Sequence, residues 1–268
     1  MISRVQQTWA FFYRDWQLTR RYWSWVVAFT FYAIVTSATV ALIGVAAHDA
    51  KLTLTLTIGT LLWSFLSVLF NEIALSIAFE RWEGTLEYTF MAPVSRFIHL
   101  MGVSLFALCY SLFRTVCVLV GLSLLVADLH FKWLQLPGIA LVLAVSSVAF
   151  VGLGLMAATL PVMSPERGAE ATNILQGVLL LVSGVYYPVT VLPGWLQPLA
   201  WISPATYALR AARKLLGLEG TGEATYPAIL PDLFRLAVLG AILLPLGLWV
   251  FGKAEHWAKR NGKLKRTG

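Results

Sequence analysis

The chain has 268 residues, 59% of them hydrophobic and only 12% charged, with a formal net charge of +7. A soluble domain carries about 25% charged residues, so the composition excludes an ordinary water-soluble fold and points to an all-α polytopic membrane protein. The excess of 20 Lys and Arg over 13 Asp and Glu gathers in loops and at the two ends, where it orients a membrane chain rather than forming a nucleic-acid face.

Residues 1–22 read as an N-terminal amphipathic interfacial helix. Val5, Trp9, Phe12 and Trp16 recur at spacings of 4, 3 and 4, with Arg4, Gln7, Arg14 and Gln17 among the intervening positions. Aromatic residues on one face with arginines elsewhere suit a helix lying in the membrane plane among lipids. Its role is to anchor the first span, and a share in partner contact stays open. No cleavable signal is expected, because Arg4, Arg14, Asp15, Arg20 and Arg21 leave no apolar core of about 7–15 residues there.

A transmembrane domain over 23–252 follows, with six expected spans, and a basic cytoplasmic tail over 253–268 closes the chain. The first span is 22–47, and the second runs from 52 through Asn71 and Glu72 to about 79. The third, 97–127, is broken only by His99 and Arg114; the fourth, 133–164, is uncharged and holds Pro137 and Pro161. The sixth is about 236–252, with Arg235 at its outer edge.

Between the second and third spans lies Glu80-Arg81-Trp82-Glu83-Gly84-Thr85-Leu86-Glu87, closed by Pro93 and Arg96. As one helix over about 80–96, Glu80, Glu83 and Glu87 share a face, and Trp82, Leu86 and Phe90 occupy another. Such a helix offers a docking handle at the cytoplasmic surface; the alternative is a surface loop that is merely helical.

The stretch 171–209 is 39 residues without a charge. As a helix it would reach about 58 Å at ~1.5 Å per residue, against a hydrocarbon core of about 30 Å. Two crossings would place the termini on opposite sides, yet Arg4, Arg14, Arg20 and Arg21 precede the first span and Lys253, Lys259, Arg260, Lys263, Lys265 and Arg266 follow the last. Both ends therefore belong in the cytoplasm. One crossing at about 171–187 leaves 13 Lys and Arg inside and six outside.

An outer re-entrant segment at about 188–204 follows that crossing. Tyr186-Tyr187-Pro188 ends the span, Leu192-Pro193-Gly194-Trp195 turns the chain, and Ser203-Pro204 restarts it. Non-helical backbone at membrane depth needs cover from protein or a water-filled cavity, so the segment is either a pathway lid or an aromatic-belt segment in the headgroups. Residues 205–216 then read as an outer amphipathic helix carrying Arg210, Arg213 and Lys214, and 217–225 as a loop.

Catalytic chemistry is sparse. Cys109 and Cys117 stand about 12 Å apart along one helix axis and cannot pair with each other. His48, His99, His130 and His256 fall in separate places, which argues against a metal cluster. The run from Gly247 to Ala254 nearly spells a phosphate-binding loop, but Ala254 stands where a magnesium-binding Ser or Thr belongs, and the run lies inside a span. No cofactor is expected on this chain. Glu72 lies about 11 Å above the cytoplasmic end of the second span and Arg114 about two thirds of the way up the third. Depths roughly 10 Å apart disfavour a direct salt bridge, and both functional and structural roles stay open for Glu72.

Two blocks carry a resemblance. The run from Glu80 to Glu87 with Ala92-Pro93-Val94-Ser95-Arg96 is similar to the cytoplasmic signature of type-2 ATP-binding-cassette exporter permeases. So is the block Ser183-Gly184-Val185-Tyr186-Tyr187-Pro188, Leu192-Pro193-Gly194-Trp195-Leu196 and Ser203-Pro204-Ala205-Thr206-Tyr207, although relatives often have Asn where Ser203 stands. The resemblance implies a coupling helix fitting a separate ATPase subunit through Glu80, Trp82, Glu83, Gly84, Thr85, Leu86, Glu87 and Arg96. Two ATPases, carrying the ATP and magnesium, would join two permease copies in a homodimer or heterodimer at the plasma (inner) membrane. The second and fifth spans would line the route through Trp63, Phe70, Asn71, Glu72, Ile174, Leu181 and Tyr186. Tyr187, Pro188, Pro193 and Trp195 would form the outer gate. The implied cargo is a hydrophobic or amphipathic molecule; a lipid-linked polysaccharide is the alternative, and a proton-coupled secondary transporter using Glu72 is the alternative from another class.

Overall fold

The computed structural model describes residues 3–125, 135–164, 167–219 and 226–263. Every regular element among them is helical. The start of the expected fourth span at Trp133, the expectations on His130 and Lys132, residues 220–225 of the outer loop, and Lys265 and Arg266 of the tail lie outside the described residues.

Helix α1 (Arg4–Arg21) opens on a capping box, in which the Ser3 hydroxyl accepts from the Gln6 amide and the Gln6 side chain accepts from the Ser3 amide. Arg20 and Arg21 in its last turn suit the negative end of the helix dipole. Its inward face is mixed: Thr8 and Asp15 are buried, Phe11 packs on His99 and Phe12 on Phe106, while Val5, Trp9 and Trp16 are exposed. An outward apolar stripe of that kind suits an apolar surrounding better than water.

Helices α2 (Trp23–Ala46) and α3 (Ala50–Trp82) form a hairpin whose turn is closed by Asp49, which accepts from the Leu52 amide at 3.0 Å. The six-residue α4 (Leu86–Met91) separates α3 from α5 (Arg96–Leu125). Helix α6 (Leu136–Ala157) runs through Ala158 into α7 (Thr159–Met163). Then come α8 (Gly168–Val182), a single 3-10 turn at Val189–Val191, α9 (Gln197–Ile202), α10 (Pro204–Leu215) and α11 (Tyr226–Arg260).

Among the described residues, five segments are long and apolar enough to cross a membrane: α2, α3, α5, α6 continued by α7, and α11. Helix α8 has 15 residues. At ~1.5 Å per residue it reaches about 22 Å, short of the ~30 Å core, so the stretch expected to cross at 171–187 is not one continuous helix. It stops at Val182 because Ser183 caps it and Gly184 adopts φ +67°, a conformation that favours glycine. Helix α11 is longer than the expected 236–252, since its polar ends continue the same helix to 35 residues across Pro231 and Pro245.

Helix α3 is the most buried of the spanning segments, and Phe65, Leu66, Leu69, Ile73 and Ile77 on it are fully enclosed by the other helices. Helices α6 and α11 touch through backbone: a Cβ added to Gly247 would lie 2.4 Å from the Gly152 carbonyl oxygen. Small residues let apolar helices approach this closely, so Gly247 is a packing residue inside a helix. The resemblance of 247–254 to a phosphate loop is a coincidence of that packing.

Candidate coupling surface and outer gate

The charged stretch after α3 is not one helix. Glu83 caps α3, and Gly84 takes φ +75°. The Gly84 amide bonds the Arg81 carbonyl at 3.1 Å, and the Thr85 amide and hydroxyl bond the Glu80 carbonyl at 2.8 and 3.1 Å. This left-handed closure of a helix end redirects the chain before α4 begins. The faces expected for a continuous helix are therefore redistributed. Glu80 is 3% exposed, and Leu86 and Phe90 are buried, whereas Trp82, Glu83, Thr85, Tyr88 and Met91 point outward and Glu87 is half-buried. Tyr88, at 78% exposure, stands furthest into solvent. Trp82 consequently does not share a face with Leu86 and Phe90.

Three ties bind this node to distant elements. First, Glu80 pairs with Arg14 of α1, and its Oε1 lies 2.8 Å from His99 Nε2 of α5. Arg14 also holds Asp15 at 2.7 Å and donates to Ser76 at 3.0 Å, while Ser76 donates to Asp15 at 2.9 Å. Burial pushes the Asp15 carboxyl above its usual range and Arg14 draws it back, whereas burial lowers Arg14 but the two carboxylates outweigh it and hold the guanidinium charged. Second, the fully buried Arg81 donates to the Val162 carbonyl of α7. Third, Arg96 bonds Glu255 of α11 at 2.9 Å and donates to the Thr89 and Phe90 carbonyls at 3.3 and 3.2 Å. Those two carbonyls belong to the last turn of α4, where a cation complements the helix dipole.

The residues expected to line a route fall into two groups. Trp63 and Phe70 pack inside the core of the single chain. Ile174, Leu181 and Tyr186 are exposed, and with Leu175 and Val178 they make an outward apolar stripe along α8 and its end. Asn71 meets Asn173 side chain to side chain at 3.4 Å, which ties α3 to α8 at the edge of that stripe. Glu72 is partly buried and faces a separate cavity toward α1, α2 and α5. No ion pair joins Glu72 to Arg114 among the described residues; Arg114 Nη2 donates instead to the Phe29 carbonyl at 2.8 Å.

The segment between α8 and α10 is a clamped turn. Ser183 and Ser203 hydroxyls meet at 2.7 Å and close its two ends. The buried Arg213 of α10 donates to the Gly184 and Val185 carbonyls at 3.1 and 2.6 Å. Burial lowers the pKa of Arg213 and Glu219, 3.4 Å away, opposes that shift. Helix α3 presses on the same turn at Gly59, where an added Cβ would fall 2.4 Å from the Val185 oxygen. Pro188, Pro193 and Trp195 are exposed, Trp195 at 75%, and Tyr187 is half-buried with its hydroxyl donating to Leu181.

Sequence reasoning did not single out Arg14, Asp15, Ser76, Gly59 or Asn173, and it treated His99 as isolated and Arg213 as a surface charge. One signal was present: Arg14-Asp15 sets two opposite charges side by side within an otherwise aromatic stretch of α1. The partners of the others are 60 or more residues away or on another helix, so no local pattern reveals them.

Residues 6–216 match a family described as ABC-2 type transporter. The chain is 23% identical over 168 residues, 63% of its length, to a protein of Escherichia coli strain K12 named probable multidrug ABC transporter permease YbhR, and the same figures hold for its counterpart in Escherichia coli O157:H7. The matched region covers 45% of those relatives, so the chain spans about half the length of the curated proteins it matches.

Proposed function

The chain belongs to the ABC-2 type transporter family, and from that premise we propose that it is the membrane-spanning permease subunit of an exporter driven by a separate ATPase. Two permease copies and two ATPases make the transporter in the plasma (inner) membrane, with both termini of each permease in the cytoplasm. Six crossings satisfy that orientation, the fifth being α8 completed by the clamped turn, which dips into the outer leaflet as a re-entrant gate. ATP and magnesium stay on the partner.

The observation that carries the reading is α4. The end of α3, the Gly84 turn and the six-residue α4 together offer Trp82, Glu83, Thr85, Tyr88 and Met91 outward, while Glu80, Arg81 and Arg96 tie them to α1, α7 and α11. A surface loop has no need of three buried cation ties. A docked ATPase pushing on the exposed face would move helices at both ends of the chain together, because their junctions are packed and paired rather than pliable. Glu83 and Glu87 are the polar contacts for that partner. The exposed stripe on α8 faces the second copy, and the route runs between them past Asn71 and Asn173. The cargo is a hydrophobic or amphipathic molecule, in keeping with the apolar character of that stripe.

The test is export from proteoliposomes holding the permease and its co-expressed ATPase. Transport requires ATP, and Glu83→Lys with Glu87→Lys abolishes it while the permease remains folded. Transport by this chain alone on a pH gradient would overturn the reading.

A further inference from the structure

A cavity of about 530 Å³ opens between α1, α2, α3 and α5. That volume falls within the roughly 300–1,000 Å³ of sites for drug-sized ligands. Its walls are aromatic, with Trp25 and Phe29 from α2, Phe79 and Trp82 from α3, and Phe106 and Tyr110 from α5.

Two carboxylates face this space, and they differ. Asp15 is buried and already paired with Arg14 at 2.7 Å and with Ser76 at 2.9 Å. Glu72 has no ion pair or hydrogen bond among the described residues. Arg114, the cation whose field reaches Glu72 from α5, donates through Nη2 to the Phe29 carbonyl at 2.8 Å and does not line the cavity. A lone carboxylate in apolar surroundings is costly, and the cost falls when a cation arrives without its own hydration shell. Aromatic faces stabilise such a cation further, most strongly when it is desolvated.

We propose that this cavity is a binding site for lipophilic organic monocations, with Glu72 as the counter-charge and the aromatic walls as the cradle. The site lies within one chain. Its occupant is a soluble cation with an apolar body, because the cavity lining among the described residues holds two carboxylates and no Lys or Arg to anchor the phosphate of a zwitterionic lipid. The inference rests on the cavity alone and not on the coupling reading, and it is tested without an ATPase.

The experiment is equilibrium dialysis of radiolabelled tetraphenylphosphonium against the full chain purified in a non-ionic detergent, with radiolabelled tetraphenylborate, dialysed separately, as the anion of matching shape. The wild type binds the cation saturably and binds the anion at least tenfold more weakly. Glu72→Gln weakens binding at least tenfold, whereas Glu170→Gln, an exposed carboxylate on α8, changes it less than twofold. Leu75→Trp, which fills the cavity and leaves Glu72 in place, removes binding, and a sharp thermal transition shows that the variant is folded. Equal binding by wild type and Glu72→Gln, equal binding of tetraphenylborate by the wild type, or undiminished binding by folded Leu75→Trp each overturns the proposal.

Discussion

Gly59 offers the sharpest mechanical test of the clamped outer turn. A Cβ at this position would lie 2.4 Å from the Val185 carbonyl oxygen, where ordinary contacts begin near 3.4 Å. The obstructing atom is backbone, and Arg213 fixes the same carbonyl at 2.6 Å, so no flexible side chain can yield. In Gly59→Ala, α3 and the turn must part by about 0.6–1 Å, an overpacking strain worth about 1–3 kcal/mol. For a chain of this size that lowers Tm by roughly 2–12 °C in a thermal scan of the purified protein. Hydrogen exchange rises at residues 184–196 and not at α4. Gly177→Ala on α8 is the control, because a Cβ there meets nothing within 4 Å. It stabilises the helix by about 0.5–1 kcal/mol. A Gly59→Ala protein with unchanged Tm and unchanged exchange in the turn would refute the clamp.

Glu80→Ala strips Arg14 and His99 of a shared buried partner and costs about 3–5 kcal/mol, read as a fall in thermal stability; adding Arg14→Ala costs less than the sum of the two single changes. Arg213→Lys cannot bridge the Gly184 and Val185 carbonyls with one ammonium, so it loses about 1–3 kcal/mol and loosens the turn in hydrogen exchange. Arg96→Met keeps an apolar stem over Phe90 but cuts the tie to Glu255, and it reduces ATP-driven export by about 2- to 30-fold, a coupling loss of about 0.5–2 kcal/mol, while the ATPase still binds.

The long apolar runs were legible because they are local: apolar length marks α2, α3, α5 and α11. On α1 the expected face of Val5, Trp9, Phe12 and Trp16 divides, since Phe12 packs on Phe106 while the other three are exposed. The breaks were only half legible. Pro188, Pro193 and Pro204 announced the turn after α8, but Gly84 was read through as a helical residue, although its left-handed conformation is what splits 80–96 into two helices. That single misreading put Glu80 on one face with Glu83 and Glu87 and grouped Trp82 with Leu86 and Phe90, whereas Glu80, Leu86 and Phe90 are buried and Trp82 is exposed. The end of α11 escaped because charged residues from Lys253 onward leave the apolar span without leaving the helix. The ties through Arg14, His99 and Arg213 are tertiary, and charge spacing along the chain carries no record of them.

The central claim is that the outward face of α4 receives an ATPase from the cytoplasm. A photo-crosslinking residue at Tyr88, compared with one at Leu86, tests it directly in cells that co-express the partner, since Tyr88 is 78% exposed and Leu86 is 0% exposed. Tyr88 captures a protein bearing a phosphate-binding loop, and Leu86 captures none. Capture at neither position in transport-competent cells, or labelling of Tyr88→Cys by an impermeant thiol reagent added outside, would contradict the account.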